Sequence, residues 1–390
     1  MSIRKEIERA ADLKGRLVDY AQSPGFATAV RKELAASEPN FDEAVDAWVD
    51  AVERLIYVPR DDAKLTLLER YIKTHRQLSP EDREVLEGWR DRNVNGLFQV
   101  VARQKDKLTL MNLIDELQYE TYSTMGTAVV RRMPVGSYVQ TRIVPIGSVW
   151  TISGHLNLYP KHDRLAVGAV VAELAQLDPR AAFRNPKKLK RALEINRQHH
   201  EVFCSTFGSH VVKGTGREAA ERYREHFRAY AAYVAETFPA ASDTPALDPD
   251  SIDDNEFAEL IDSDDVAIFH HPVKGIGFYT HYAEVEGAYC QPPEHADAAG
   301  IKAVRSYLDD ETIPAYLLQS LAEGYPDTVD ELYRLVLDRP DFCWRDDGEA
   351  LLSERKPASY AERSVPDLVL LPEIALEAMR GVHGRPTRAD

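Results

Sequence analysis

The hydrophobic positions of this chain change period twice. Up to about residue 90 they recur at helical spacing. Phe41, Val45, Trp48, Val49, Val52 and Ile56 fall on one helix face behind Asn40, with Glu43 placed to close a capping box. Ser79, Pro80 and Asp82 mark another helix start. Over residues 96–159 the period shortens to two. Phe98, Val100 and Ala102 alternate with Gln99, Val101 and Arg103, and Leu108 and Leu110 follow a polar turn at 104–107. Residues 119–123, 138–144 and 149–153 supply three more strand-like segments, the last two joined by a hairpin loop at 145–148. Five short, evenly spaced strands predict a closed barrel with Trp150 and Ile152 facing inward. A short helix over residues 124–133, between the third and fourth strands, favours OB-like over SH3-like order.

The helical period then returns. Residues 165–177 are apolar, Asn185 and Pro186 open the next helix, and Thr215 with Glu218 forms a capping box before the stripe Tyr223, Phe227, Tyr230, Val234 and Phe238. Residues 236–265 hold eleven acids and no Lys or Arg, with Pro239, Pro245 and Pro249 among them. Two strands follow, 266–270 and 276–282, joined across Lys274 and Gly275, and then helices near 301–308, 312–321 and 328–337. The chain is therefore expected to be α+β. Its expected parts are a helical region (1–92), the small five-stranded β-barrel (93–160), a helical hairpin covering the barrel (161–238), an acidic linker (239–254), a smaller C-terminal α+β unit (255–380) and a frayed tail (381–390).

Composition adds limits. With 390 residues and 44% hydrophobic content, the chain is too long for one ordinary core. The formal net charge of -16 opposes a phosphate backbone unless a local basic face prevails. No leader-like or membrane-spanning apolar run is present, and the three widely spaced cysteines, Cys204, Cys290 and Cys343, argue for a reducing compartment. A soluble, cytoplasmic protein is expected, with no membrane contact.

Two basic faces are candidates for binding. The barrel carries Arg103, Lys105, Lys107, Arg131 and Arg132 among Phe98, Tyr119, Tyr122, Tyr138 and Trp150, the ingredients of a base-stacking groove. Aromatic residues in strands are equally ordinary core residues. A second patch at 180–228 includes Lys187, Lys188, Lys190 and Arg191, and the acidic run that follows is placed to fold back and neutralise it. Partners are accordingly another protein or an internal domain contact, ahead of nucleic acid.

Two histidine groups have metal-ligand chemistry. His200 and Cys204 share a helix face at i, i+4, with His199 and His210 nearby. His270, His271 and His281 fall in adjacent strands, where cross-strand neighbours approach within about 5.5 Å. No serine elbow, Walker loop, dinucleotide fingerprint or EF-hand loop is present, Cys290 near His281 is an ordinary small apolar filler, and no cofactor is called for.

The segments beginning Gly96-Leu-Phe-Gln-Val, Leu108-Thr-Leu-Met-Asn-Leu-Ile-Asp115, Arg142-Ile-Val-Pro-Ile-Gly147 and Trp150-Thr-Ile-Ser-Gly154 resemble a strand pattern in uncharacterised bacterial proteins, some of which end in a cysteine-rich SEC-C zinc tail. With no Cys after Cys343, no such tail is expected here. The resemblance implies no activity. The expected function is a binding or regulatory module built around the barrel. The alternatives are a metal-dependent hydrolase using the His270, His271 and His281 cluster, and a nucleic-acid binder using a local basic face.

Overall fold

In the computed structural model, which describes residues 3–36, 44–59, 65–237, 252, 254–290 and 298–383, five helices precede the period-two region. They are α1 (Ile3–Ala21), α2 (Ala27–Ala36), α3 (Ala44–Tyr57), α4 (Leu67–Thr74) and α5 (Pro80–Arg92). The start of α5 is as the sequence predicts: Pro80 is at the first position and the Asp82 amide donates to the Ser79 hydroxyl at 3.1 Å. The Asn40 and Glu43 cap lies outside the described residues.

The barrel strands are β1 (Val94–Arg103), β2 (Lys107–Asn112), β3 (Gln118–Tyr122), β4 (Tyr138–Ile146) and β5 (Val149–Tyr159), closed in the order β1-β2-β3-β5-β4. Four neighbouring pairs are antiparallel, while β3 and β5 run parallel through Thr121↔Trp150 and Tyr122↔Thr151. A strand in sequence order around the barrel would reverse at each step. The insertion of β5 between β3 and β4, after the short helix α6 (Thr127–Arg131), is the OB-type order and not the SH3-type one. Phe98, Val100, Leu108, Leu110, Tyr119, Val139, Ile143 and Ile152 fill the interior, with Val130 and Met133 from the α6 region. Trp150 faces inward as expected, packing on the interior cluster with its ring edge-on to Tyr119 at 4.9 Å, but at the short parallel seam it is only half-buried.

Both outer sides of the barrel are covered. Leu17, Ile56, Leu68, Leu86 and Trp89 of the preceding helices pack with Tyr122, Val144, Ile146 and Val149, and the Trp89 indole donates to the Pro145 carbonyl at 2.9 Å. The other side packs Leu97, Leu113 and Tyr138 against α7 (Arg164–Leu177) and a returning helix, Glu373–His383. Gly168 permits that approach, since a Cβ there would stand 2.3 Å from the Ile374 carbonyl oxygen. Between β2 and β3, the Asn112 side chain accepts from the amides of Ile114 and Asp115. The buried Asp115 carboxylate accepts from the Leu117 amide, the Tyr119 hydroxyl and the Arg184 Nε, each at 2.8 Å. This first unit comprises residues 1–185 and 369–390.

The second unit, residues 186–368, contains α8 (Pro186–Phe207), β6 (Val211–Gly214), α9 (Gly216–Thr237), β7 (Val266–His271), β8 (Gly275–Thr280), α10 (Tyr282–Cys290), α11 (Ala298–Asp309), α12 (Ala315–Gly324), α13 (Val329–Leu337), α14 (Trp344–Arg355) and α15 (Pro357–Ala361). Its sheet is antiparallel in the order β6-β7-β8. Val212, Val266, Ile268, Ile276 and Phe278 line the face toward α8 and α9. Ala267, Phe269 and Tyr279 line the other, under the helices that follow β8. Thr215 and Glu218 form the expected capping box, their amides and side chains exchanging bonds at 2.8 and 3.3 Å. The units divide the chain at 185/186 and 368/369, so the segment expected as one helical hairpin (161–238) is shared between them, α7 in the first and α8 with α9 in the second. Most of the acidic segment lies outside the described residues. At its end Ile252 and Phe257 pack with Ala220 of α9, and Arg224 donates to the Ile252 carbonyl. Among the described residues no helix is long and apolar enough to cross a membrane.

Candidate metal centre

On α8 the buried positions Ala192, Asn196, Val202 and Phe203 define a stripe that carries His199 inward. On α9, Ala219, Ala220 and His226 form the corresponding stripe. That helix starts at Gly216, where a Cβ would come within 1.7 Å of the Leu260 carbonyl oxygen, so only glycine lets the segment before β7 pass this close. His270 follows Val266 and Ile268 on the same face of β7. Three elements therefore bring His199, His226 and His270 together. One nitrogen from each ring lies within 4.8 Å of the other two, and a hydrogen bond of 3.2 Å joins His199 Nδ1 and His226 Nε2, which ligation of an ion by both would replace. Nitrogens about 2.0 Å from a shared ion stand about 3.4 Å apart, so small side-chain rotations convert this cluster into a ligand set.

The surroundings are aromatic. Tyr230 stacks on the His199 ring at 3.4 Å, Phe227 is 5.9 Å from it, and Phe203 is 5.3 Å from both His226 and His270. Burial pushes the three imidazoles below their usual range, to about 4 for His199 and about 3 for His226 and His270, and like-charge repulsion within the group adds to it. All three are neutral at physiological pH, the form that ligates metal. His226 and His270 are 1% and 2% exposed, and the Nδ1 of each has no hydrogen-bond partner among the described residues. An unmet buried polar atom costs about 1–3 kcal/mol, and a ring that ligates an ion through its Nδ1 is relieved of that cost. Among the described residues no carboxylate or thiolate joins the three rings.

His200 is not one of the three, although its ring lies 5.5 Å from that of His270, and it supports the site. Its Nδ1 donates to the His270 carbonyl at 2.8 Å, which leaves Nε2 as acceptor toward the Cys204 thiol at 3.6 Å. The sequence-predicted strand cluster is not assembled as expected. His271 points to the opposite sheet face, its ring tilted against Tyr316 at 4.6 Å, and its Nδ1 accepts from the amides of Val273 and Lys274 in the hairpin turn. His281 is exposed beyond Thr280, which pairs with Val266, whereas His270 pairs with Ile276. At least four residues of strand, about 13 Å, separate His270 from His281 for that reason. His210 caps the end of β7, its carbonyl accepting from the His270 amide.

The basic candidates are dispersed. Arg103 donates to the Arg131 carbonyl at 2.9 Å and Lys107 pairs with Glu120 at 2.9 Å, while Lys105 and Arg132 are exposed. Phe98, Tyr119 and Tyr138 are buried, so the barrel does not offer them as a stacking platform. Lys187, Lys188, Lys190 and Arg191 occupy the first turns of α8, in the other unit. The residue that sequence reasoning missed is His226. Its signal was available: it lies three residues after Tyr223 on the apolar stripe of α9, where a histidine is out of place unless it has a polar task.

A family model described as a family of unknown function, DUF7986, matches residues 26–199. The match spans the barrel with its flanking helices and ends at the first histidine of the trio, short of half the chain. No curated protein matches this chain, and no solved structure does. The chain is thus similar, over its barrel region, to a family of unknown function.

Proposed function

We propose that this chain is a metal-binding protein that takes up one first-row transition ion on His199, His226 and His270. The observation that carries this reading is the cluster itself: one nitrogen from each of His199, His226 and His270 lies within 4.8 Å of the other two, in a site where His226 and His270 are almost fully buried. Neutral imidazole suits zinc, copper, nickel and iron, and His226 and His270 each keep a buried nitrogen with no partner among the described residues. The reading adds a cofactor that the sequence alone did not call for.

A binding or regulatory role fits better than hydrolysis. A hydrolytic centre needs an open coordination position for water and a general base within reach. Here the neighbours of the trio are Phe203, Phe227 and Tyr230, and no carboxylate joins it among the described residues. Nucleic-acid binding through the barrel has less support, because the interleaved aromatics are committed to the core.

The test is metal uptake by the full chain. Protein stripped with chelator and then incubated with each divalent ion from manganese to zinc, and with copper(I), should retain about one ion per chain after desalting. His226→Asn and His270→Asn should each abolish retention while circular dichroism stays unchanged. Failure of the unmodified chain to retain any of these ions would overturn the proposal.

A further inference from the structure

We infer that the ion selected by the trio is monovalent copper. This rests on the metal-binding reading above and narrows it from a site to a ligand.

The first argument is charge. All three ligands are neutral, and no anionic donor joins them among the described residues. The solvation cost of burying an ion grows with the square of its charge, so a divalent ion pays about four times the penalty of a monovalent one unless anionic ligands offset it. The helices that contribute two of the ligands do not offset it. Together α8 and α9 carry nine Lys or Arg against six Glu. Zinc sites built from three histidines rely on a bound hydroxide to reduce the charge, which needs room for water.

The second argument is coordination number. Monovalent copper has a filled d shell and is satisfied by two or three donors in a plane. Three nitrogens at about 2.0 Å from a central ion lie about 3.5 Å apart in a trigonal plane and about 3.3 Å apart in a tetrahedron, so the 3.2 Å between His199 Nδ1 and His226 Nε2 fits shared ligation without choosing between the two. Divalent copper prefers a tetragonal array and zinc a fourth donor, and the group offers three ligands. Above and beside the rings stand the aromatic side chains of Phe203, Phe227 and Tyr230, an environment suited to a soft, weakly hydrated cation.

The experiment must exclude thiols, which hold copper(I) tightly, so it uses the full chain with Cys204→Ser, Cys290→Ser and Cys343→Ser. Under anaerobic conditions this protein is titrated with copper(I) against bicinchoninate and, separately, with zinc(II) against pyridylazoresorcinol. The expected result is one copper(I) per chain, held against the competitor, with zinc(II) lost to its own. His226→Asn should weaken copper(I) binding by at least about 100-fold, beyond the usual effect of an outer-shell partner. X-ray absorption of the copper-loaded protein, which needs no change in the trio, should give three nitrogen scatterers at about 2.0 Å. Stoichiometric zinc(II) binding that His226→Asn removes, with no competitive copper(I) binding, would overturn the copper assignment and leave the metal-binding reading standing. Absence of binding by either ion would overturn both.

Discussion

Asp115 is the hinge of the barrel's β2–β3 connection, and its replacement by Asn should be costly. The carboxylate is fully buried and accepts three hydrogen bonds at 2.8 Å, from the Leu117 amide, the Tyr119 hydroxyl and the Arg184 Nε. Asparagine keeps the volume but offers one acceptor oxygen. If that oxygen keeps the Leu117 amide, its NH2 group faces the other two donors. The Tyr119 hydroxyl can turn and accept instead, whereas the guanidinium cannot. Loss of a charge-assisted bond is worth about 1.5–3 kcal/mol, but the Arg184 side chain is 32% exposed and recovers part of this from water. The expected destabilisation is about 2 kcal/mol for Asp115→Asn and about 3–5 kcal/mol for Asp115→Ala, which strands the amide as well. Tyr119→Phe alone should cost about 1 kcal/mol, and the double variant should show a coupling of the same order. The assay is urea unfolding followed by tryptophan fluorescence in a Trp344→Phe background, where the remaining reporters, Trp48, Trp89 and Trp150, all belong to the first unit and Trp150 is 4.9 Å from the Tyr119 ring. A destabilisation below about 0.5 kcal/mol, or strict additivity with Tyr119→Phe, would refute this account of the connection.

Two further outcomes are expected. In the same assay family, Ile152→Ala should destabilise the barrel by about 2–4 kcal/mol. Trp150→Ala should cost only about 2 kcal/mol despite its size, because Trp150 is half-buried at the seam while Ile152 is 3% exposed; the reverse ranking would contradict the relative burial of these two inward residues. Lys356 donates to the carbonyls of Tyr307 and Asp310, and burial holds its amine down to about 8. The unfolded chain, with an ordinary lysine pKa of about 10.4, binds more protons between those two values. Stability should therefore rise with pH from about 8 to 10, and Lys356→Met should flatten that rise in urea midpoints; an unchanged slope would remove Lys356 as its source.

The barrel was legible because it rests on a local signal. Alternation of side chains at period two marks each strand without reference to its neighbours, and the helix before β4 even pointed to the strand order. The short strand β6 was not, since four residues between two long helices carry too little periodicity, and it exists by pairing Val211 to Gly214 against β7. The metal centre needed information of another kind. His199, His226 and His270 are separated by 27 and 44 residues and meet only through helix-to-sheet packing. Sequence proximity favoured His271, which the turn claims, and His281, which the strand register carries away. Alternation gives the inward facing of Trp150 but not its partial exposure, because it cannot tell the middle of a barrel wall from its closing seam.

The returning helix Glu373–His383 gives the first unit a schedule as well as a surface. Val167, Gly168 and Val171 of α7 wait for Ile374 and Ala375, and between the two lie the roughly 180 residues of the second unit. At a synthesis rate of about 5–20 residues per second, the ribosome has the barrel outside its tunnel for about 10–35 s before the missing helix emerges. During that interval the α7 groove is apolar, open and shaped for one particular helix. Any chain that stops within the second unit keeps it open indefinitely, so a truncated product carries a sticky mark of its own incompleteness, and two nascent chains on one message are each other's nearest source of the missing piece.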